Sequence, residues 1–200
     1  MRVVPNLYPA FDRQEVVVHS PRHVRTFAEL SDDEVAAVAQ AWTARMGAEP
    51  GYVHACINEG RAAGSSLPHS HSQLVWLDGA PPEVAREQGR RPELADELVV
   101  AERGGLRAAV HPEGRLPYET MVFGEPFELE AALFLLREVI TRLRATEGAV
   151  PWNAWLHAGT HPHLEIVPRL TVLAGVELGA GIYVNTVAPE DAAAALRGAG

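Results

Sequence analysis

Apolar residues recur along this chain in two alternating rhythms. Val16 to His19 (VVVH) is a short apolar run closed by Ser20-Pro21 and reads as a strand. Beyond it Val35, Val38, Ala39 and Trp42 recur at helical spacing. Ser31 stands before them as N-cap, and Asp32, Asp33 and Glu34 fill the first turn, which predicts a helix over 32–46. Tyr52 to Ile57 is a second strand, residues 58–66 (NEGRAAGSS) are a Gly/Ser loop, and a strand carrying His69 and His71 follows. Residues 78–95 are polar and proline-rich and read as a connector holding a short helix.

The second half repeats this order. Residues 118–123 are strand-like, 129–144 form an amphipathic helix, and 153–157 form a short strand. The segment THPHLEIVPRL then alternates polar and apolar positions, and His161-x-His163-x-Glu165 fills the slot held earlier by His69-x-His71-x-Gln73. Strand, helix, strand, loop and His-x-His strand thus occur twice, an internal duplication of about 90 residues. The tail predicts a Gly-rich turn, a strand over 182–186, and a helix opened by Ala188-Pro189-Glu190-Asp191. Helices set between hairpin strands predict an α+β fold with an antiparallel sheet. The units are read as 1–80, a connector over 81–96, and 97–200.

Composition narrows the function. Of the 200 residues 47% are hydrophobic and 22% charged, which is ordinary for a globular domain with a sizeable core. The formal net charge is -9 and no Lys/Arg run could track a phosphate backbone, so a nucleic acid is not the expected partner. A small anionic ligand stays open, because a few donors in a cleft suffice. The single cysteine, Cys56, lies in an apolar run and excludes a disulfide framework or a Cys-rich zinc site built from this chain alone. The start, MRVVPNLYPAF, has no long apolar segment, and no run of 18 apolar residues exists, so the chain is expected in the cytoplasm, away from membranes.

Candidate chemistry gathers on the histidine strand. Residues i, i+2 and i+4 of a strand share a face, so His69, His71 and Gln73 line up. Two imidazoles at that spacing suit either metal ligation or nucleophilic catalysis with a nearby donor for the developing oxyanion. The loop before them, with Asn58, Gly60, Gly64, Ser65 and Ser66, can present backbone N–H groups and hydroxyls to phosphate oxygens. His19, His54 and His111 carry no pattern and read as structural or exposed.

The stretch NEGRAAGSSLPHSHSQLVW resembles the active-site segment of galactose-1-phosphate uridylyltransferases, in the histidine-triad superfamily. That family reads Asn-x-Gly, then Gly-x-Ser, then His-Pro-His-x-Gln before an apolar run. VVPNLYPAF, SPRHVRTFAELS and the C-terminal HPHLEIVPRL to APEDAAAALR extend the likeness over nearly the whole chain. The resemblance implies duplicated histidine-triad units and an antiparallel half-barrel sheet with flanking helices. It implies transfer of a nucleoside monophosphate, UMP in the family, between a nucleotide sugar and a sugar 1-phosphate in galactose metabolism. His71 would be the nucleophile, Gln73 the amide on a nonbridging phosphate oxygen, and Asn58, Gly64, Ser65 and Ser66 the phosphate holders. Phosphorolysis or hydrolysis of nucleotide sugars or dinucleoside polyphosphates would use the same nucleophile, and a degenerate homologue would only bind nucleotide or metal. The family's structural metal, zinc or iron, implies Glu87, His157, His161 and His163 as ligands, and a second zinc site implies His23 and His69. The cysteine pair that completes the second site is absent, and Ser70 replaces the central proline. A missing family N-terminal segment is implied too, as is a homodimer.

Overall fold

In the computed structural model, which describes residues 1–48, 51–87 and 94–200, nine strands form one antiparallel sheet. The strands are β1 (Arg2–Pro5), β2 (Gln14–Val18), β3 (Tyr52–Glu59), β4 (His71–Leu77), β5 (Val99–Arg103), β6 (Leu106–Val110), β7 (Thr120–Phe123), β8 (Trp152–His157) and β9 (His163–Pro168). The helices are α1 (Asp32–Met46), α2 (Pro82–Glu87), α3 (Leu129–Glu147), α4 (Gly175–Ala180) and α5 (Pro189–Gly198). The sheet order is β1-β2-β4-β3-β8-β9-β7-β6-β5. The triplet β2-β4-β3 is answered by β7-β9-β8 read from the other side, and α1 and α3 occupy the same place in each set. The two halves therefore meet at the β3–β8 pair, in a continuous α+β sheet.

Period-2 alternation decides which side chains enter the core. Val17, Ile57, Leu74, Ala154, Leu156, Leu164, Ile166 and Val122 face the helices and are buried with Val35, Val38 and Trp42 of α1 and Leu133, Leu136, Ile140 and Leu143 of α3. Each such large side chain contributes about 1.5–3 kcal/mol of transfer free energy. Two polar residues on this face, Ser72 and Thr120, are satisfied: the Trp42 indole N–H donates to Ser72 Oγ at 2.9 Å, and the Thr120 hydroxyl donates to Tyr118 O at 2.9 Å. Helix α1 opens with a capping box in which Glu34 N–H donates to Ser31 Oγ (3.3 Å) and Ser31 N–H donates to the Glu34 carboxylate (2.9 Å).

The opposite face of the sheet carries no helix layer and holds the chemistry. Across the strands, directly paired residues form one row: Val16, Gln73, Cys56, Trp155, Glu165 and Met121. Asn58 faces Asn153, and His157 faces His163, in rows on either side of it.

Three features differ from the sequence reading. The histidine strand begins at His71, so His69 stands in the loop before it. Residues 182–186 form no strand. Ile182 and Val184 are exposed and the segment joins no strand of the sheet; it is held instead through Asn185, whose Nδ2 donates to Gly114 O at 3.1 Å and Leu116 O at 3.3 Å. Strand β1 and the β5–β6 hairpin, turned by Gly104 and Gly105 at positive φ, were not read from the pattern, although a Gly-Gly pair between apolar runs is a hairpin signal. Part of the expected connector, residues 88–93, lies outside the described residues. Among the described residues no helix is long and apolar enough to cross a membrane.

Candidate active site and candidate metal centre

His71 is the first residue of β4 and is buried. Its Nδ1 lies 2.8 Å from the His69 carbonyl oxygen. A carbonyl only accepts, so Nδ1 carries the hydrogen and a neutral ring keeps its lone pair on Nε2. No partner takes that nitrogen among the described residues. The local sequence has therefore oriented one imidazole and left its nucleophilic atom free.

The loop between β3 and β4 builds a cavity of about 890 Å³ beside this ring, lined by His71, His69, Asn58 and residues 64–66. Its shape rests on two glycines. Gly60 has φ 85° and packs so closely on Pro151 that a Cβ would come within 2.9 Å; Gly64, at φ 88°, ends the single 3-10 turn 61–63 in the left-handed region. Asn58 is tied into the sheet, since Asn153 Nδ2 donates to its Oδ1 at 2.7 Å and to the Ala63 carbonyl at 2.8 Å. The Ser65 hydroxyl donates back to Leu67 O at 3.0 Å, whereas Ser66 is exposed on the cavity wall. Three arginines the sequence reading passed over, Arg25, Arg61 and Arg144, line the same cavity. Against Glu29 and Glu59 on the same lining they leave the cavity slightly cationic in a chain of net charge -9.

Half-buried Glu59 lines the cavity as well, and both its carboxylate oxygens accept hydrogen bonds from the protein. Phe27 N–H donates to one carboxylate oxygen at 2.7 Å and the Trp152 indole to the other at 2.9 Å. Burial nevertheless dominates and pushes its pKa up, against those hydrogen bonds and the charge of Arg144.

Gln73 follows on the same face as His71, half-buried, outside the residues that line the cavity. Its Oε1 accepts from Gln14 Nε2. Cys56, its cross-strand neighbour, is an inert thiol: burial pushes its pKa up to about 11.

Glu87, His157, His163 and Glu165 gather on the same face but at the other end of the strands. Their ligating atoms all lie within 4.8 Å of one another. His163 Nδ1 donates to the His161 carbonyl (2.9 Å), which leaves Nε2 as a lone pair, buried and without a hydrogen-bond partner. That nitrogen faces Glu87 at 3.5 Å and Glu165 at 3.9 Å, too far for hydrogen bonds. Burial would lower the His163 pKa, but the pull of Glu165, the His161 carbonyl and the charges of both carboxylates outweigh it and raise it. The His157 ring meets Glu87 at 2.8 Å and stands edge-on to His163 at 5.0 Å between centroids. An orphaned imidazole lone pair opposite two carboxylates fits a divalent cation. The adjoining cavity is about 20 Å³, room for an ion or one water and for no substrate.

Of the four residues expected as ligands, the structure brings Glu87, His157 and His163 together. His161 lines the rim of the small cavity, but its Nδ1 lies 3.2 Å from Glu125. Glu165 was not expected; its signal was the third place of the His-x-His-x-Glu echo. Its other oxygen accepts from Arg115 (2.8 Å), which Glu119 also grips at 2.7 Å.

His23 and His69 do meet, with ring centroids 5.7 Å apart. Both nitrogens of His69 face carbonyl oxygens, Arg22 O at 2.9 Å and Ser70 O at 3.1 Å, and no third ligand joins them among the described residues. His19, unpatterned in sequence, is fully buried and its Nδ1 lies 2.9 Å from Ser70 Oγ. Burial, with the neighbouring His71 and His69, drives its pKa down to about 3.

With this geometry in view the comparisons are direct. Residues 9–81 match the family described as galactose-1-phosphate uridyl transferase, N-terminal domain. That match takes in β2, α1, β3 and β4, the strand of His71. An ADP-glucose phosphorylase of Arabidopsis thaliana is 24% identical, over 98% of this chain and 74% of the relative. Among solved structures, an Arabidopsis thaliana ADP-glucose phosphorylase with bound ADP-glucose superposes at TM-score 0.86, with 23% identity over 98% of this chain and 81% of that one. A uridylyltransferase superposes at 0.84, with 22% identity over 99% and 84%. These likenesses establish the fold.

Proposed function

We propose that this chain is a nucleotidyltransferase that works through a covalent nucleotidyl-His71 intermediate, moving a nucleoside monophosphate between a nucleotide sugar and a sugar 1-phosphate. The observation that carries the reading is the His71 ring, fixed through Nδ1 by the His69 carbonyl with Nε2 free beside the cavity. In the first step Nε2 forms a bond to the α-phosphorus, and the bond from that phosphorus to the bridging oxygen breaks, releasing sugar 1-phosphate. In the second, a phosphate oxygen of the acceptor forms a bond to the same phosphorus, and the P–N bond breaks to restore His71. Asn58, Gly64, Ser65 and Ser66 hold phosphate oxygens and Arg25, Arg61 and Arg144 supply positive charge, while Gln73, on the face of β4 that carries His71, donates to a nonbridging oxygen. UMP is the group expected from the family resemblance.

The similarity to ADP-glucose phosphorylase favours a second reading, in which inorganic phosphate is the acceptor and adenylate the group carried. One experiment separates them. The chain is incubated with UDP-glucose or ADP-glucose labelled at the α-phosphorus, freed of excess substrate, and challenged with galactose 1-phosphate or orthophosphate. Trapped label released by the sugar phosphate supports transfer, and release by orthophosphate supports phosphorolysis. A chain that takes no label from either donor contradicts both.

The same reading includes zinc or iron as a structural ion held by Glu87, His157 and His163, with Glu165 or His161 as the fourth donor. Such an ion ties the connector helix α2 to β8 and β9. It also includes a homodimer, supported by the exposed apolar residues Val172, Val176, Leu178, Ile182 and Val184 after β9. Sedimentation velocity on the purified chain is expected to give a dimer, and a monomer at micromolar concentration would remove this part.

A further inference from the structure

We infer that Gln14 is a positioning residue that fixes which end of the Gln73 amide meets the substrate phosphate. An amide side chain can point either its oxygen or its NH2 at a ligand, and only the NH2 can donate to a phosphate oxygen. Here a chain of hydrogen bonds leaves no choice. The Ala10 backbone N–H donates to Gln14 Oε1 at 2.9 Å. A backbone N–H has no other role, so Gln14 must present its Nε2 on the remaining side. That Nε2 donates to Gln73 Oε1, and Gln73 Nε2 is left as a donor without a partner among the described residues. Gln14 and Gln73 reach each other diagonally across the β2–β4 ladder, on the face that carries His71: Gln14 pairs with Val75 and Gln73 with Val16. Asn6 N–H also donates to Gln14 O at 2.8 Å, which pins the N-terminal loop against the same residue. Residues 6–14 thus relay one backbone N–H to the Gln73 amide.

This inference rests on the proposed role of Gln73 and is tested so that the two can fail separately. The readout is the rate of label transfer from the α-labelled nucleotide sugar to the protein. Gln14→Glu accepts from both Ala10 N–H and Gln73 Nε2, so it folds and turns the Gln73 oxygen toward the phosphate. Labelling should slow on the order of 100- to 1000-fold, the range lost with one oxyanion donor. Gln14→Met removes the anchor without reversing it and should lose less. The same two changes in a Gln73→Met background separate orientation from charge. There Gln14→Glu should change the rate by less than about 3-fold, since the amide it acts through is gone. A full Gln14→Glu loss in the Gln73→Met background means simple charge repulsion and overturns the inference. Equal rates for wild type and Gln14→Glu overturn it as well and leave the nucleotidyl-His71 reading standing. A wild-type chain that takes no label ends both.

Discussion

His19 shows how one residue can matter without touching substrate. Its ring is fully buried between Ser70 and Phe27, and Ser70 lies between His69 and His71. The Ser70 N–H also donates to Val24 O, and His19 N–H donates to Ser70 O, so the residue before the nucleophile is held from three sides. A proline at position 70 would stiffen the segment without these bonds; here hydrogen bonds do so. The cost is a pH dependence with a defined sign. Folded His19 stays neutral down to about pH 3, whereas the unfolded ring takes a proton near its ordinary value of 6.5. The unfolded state therefore binds more protons between those values, and stability present above pH 6.5 drains away as pH falls toward 3. Chemical denaturation at pH 7, 5.5 and 4.5 should show this slope reduced in the double variant His19→Phe/Ser70→Ala. An unchanged slope would mean that other groups set the acid limb.

At the scale of elements, α2 depends on side chains more than on its own turns. It has six residues, too few for stability alone, and Glu87 at its end reaches His157 of β8. A divalent ion between Glu87, His157 and His163 would stabilise the fold by its binding free energy. Elemental analysis should return about one zinc or iron per chain, as one ligand cluster implies. Glu87→Ala and His163→Ala should each lose the metal and several degrees of Tm, while chelation of wild type should lower Tm by a similar amount. Retention of full metal by both variants would place the ion elsewhere. The elements also show what the sequence made legible. Helix α1 was legible at about its observed bounds, because the Ser31 N-cap and the acids of the first turn are local signals. The metal cluster was legible only in part. Glu165 lies in β9 on the same face as His163, whereas His161 precedes the strand, in the turn after β8, and reaches Glu125 instead. The strand pairing that decides this is long-range. Gln14 was invisible for the same reason, since nothing local ties it to a residue 59 positions away.

The whole molecule separates two chemistries that the repeated His-x-His pattern left alike. Both histidine strands lie in one sheet and face the same side, yet His71 opens β4 beside the large cavity while His157 and His163 sit at the far end of β8 and β9. No residue lines both cavities. The duplication thus yields one site sized for a nucleotide and one sized for an ion, from the same local pattern in two settings. Net charge follows the same logic, with -9 over the chain and three arginines around the nucleophile. The assignment of His71 is the claim on which the rest depends. It is tested most directly by trapping the chain with a nucleotide sugar, digesting it, and locating the adduct by mass spectrometry under alkaline conditions that preserve a P–N bond. The account predicts a nucleoside monophosphate on His71, absent in His71→Ala and stable to hydroxylamine. An adduct on His69 or another residue, or turnover that survives His71→Ala, would contradict it.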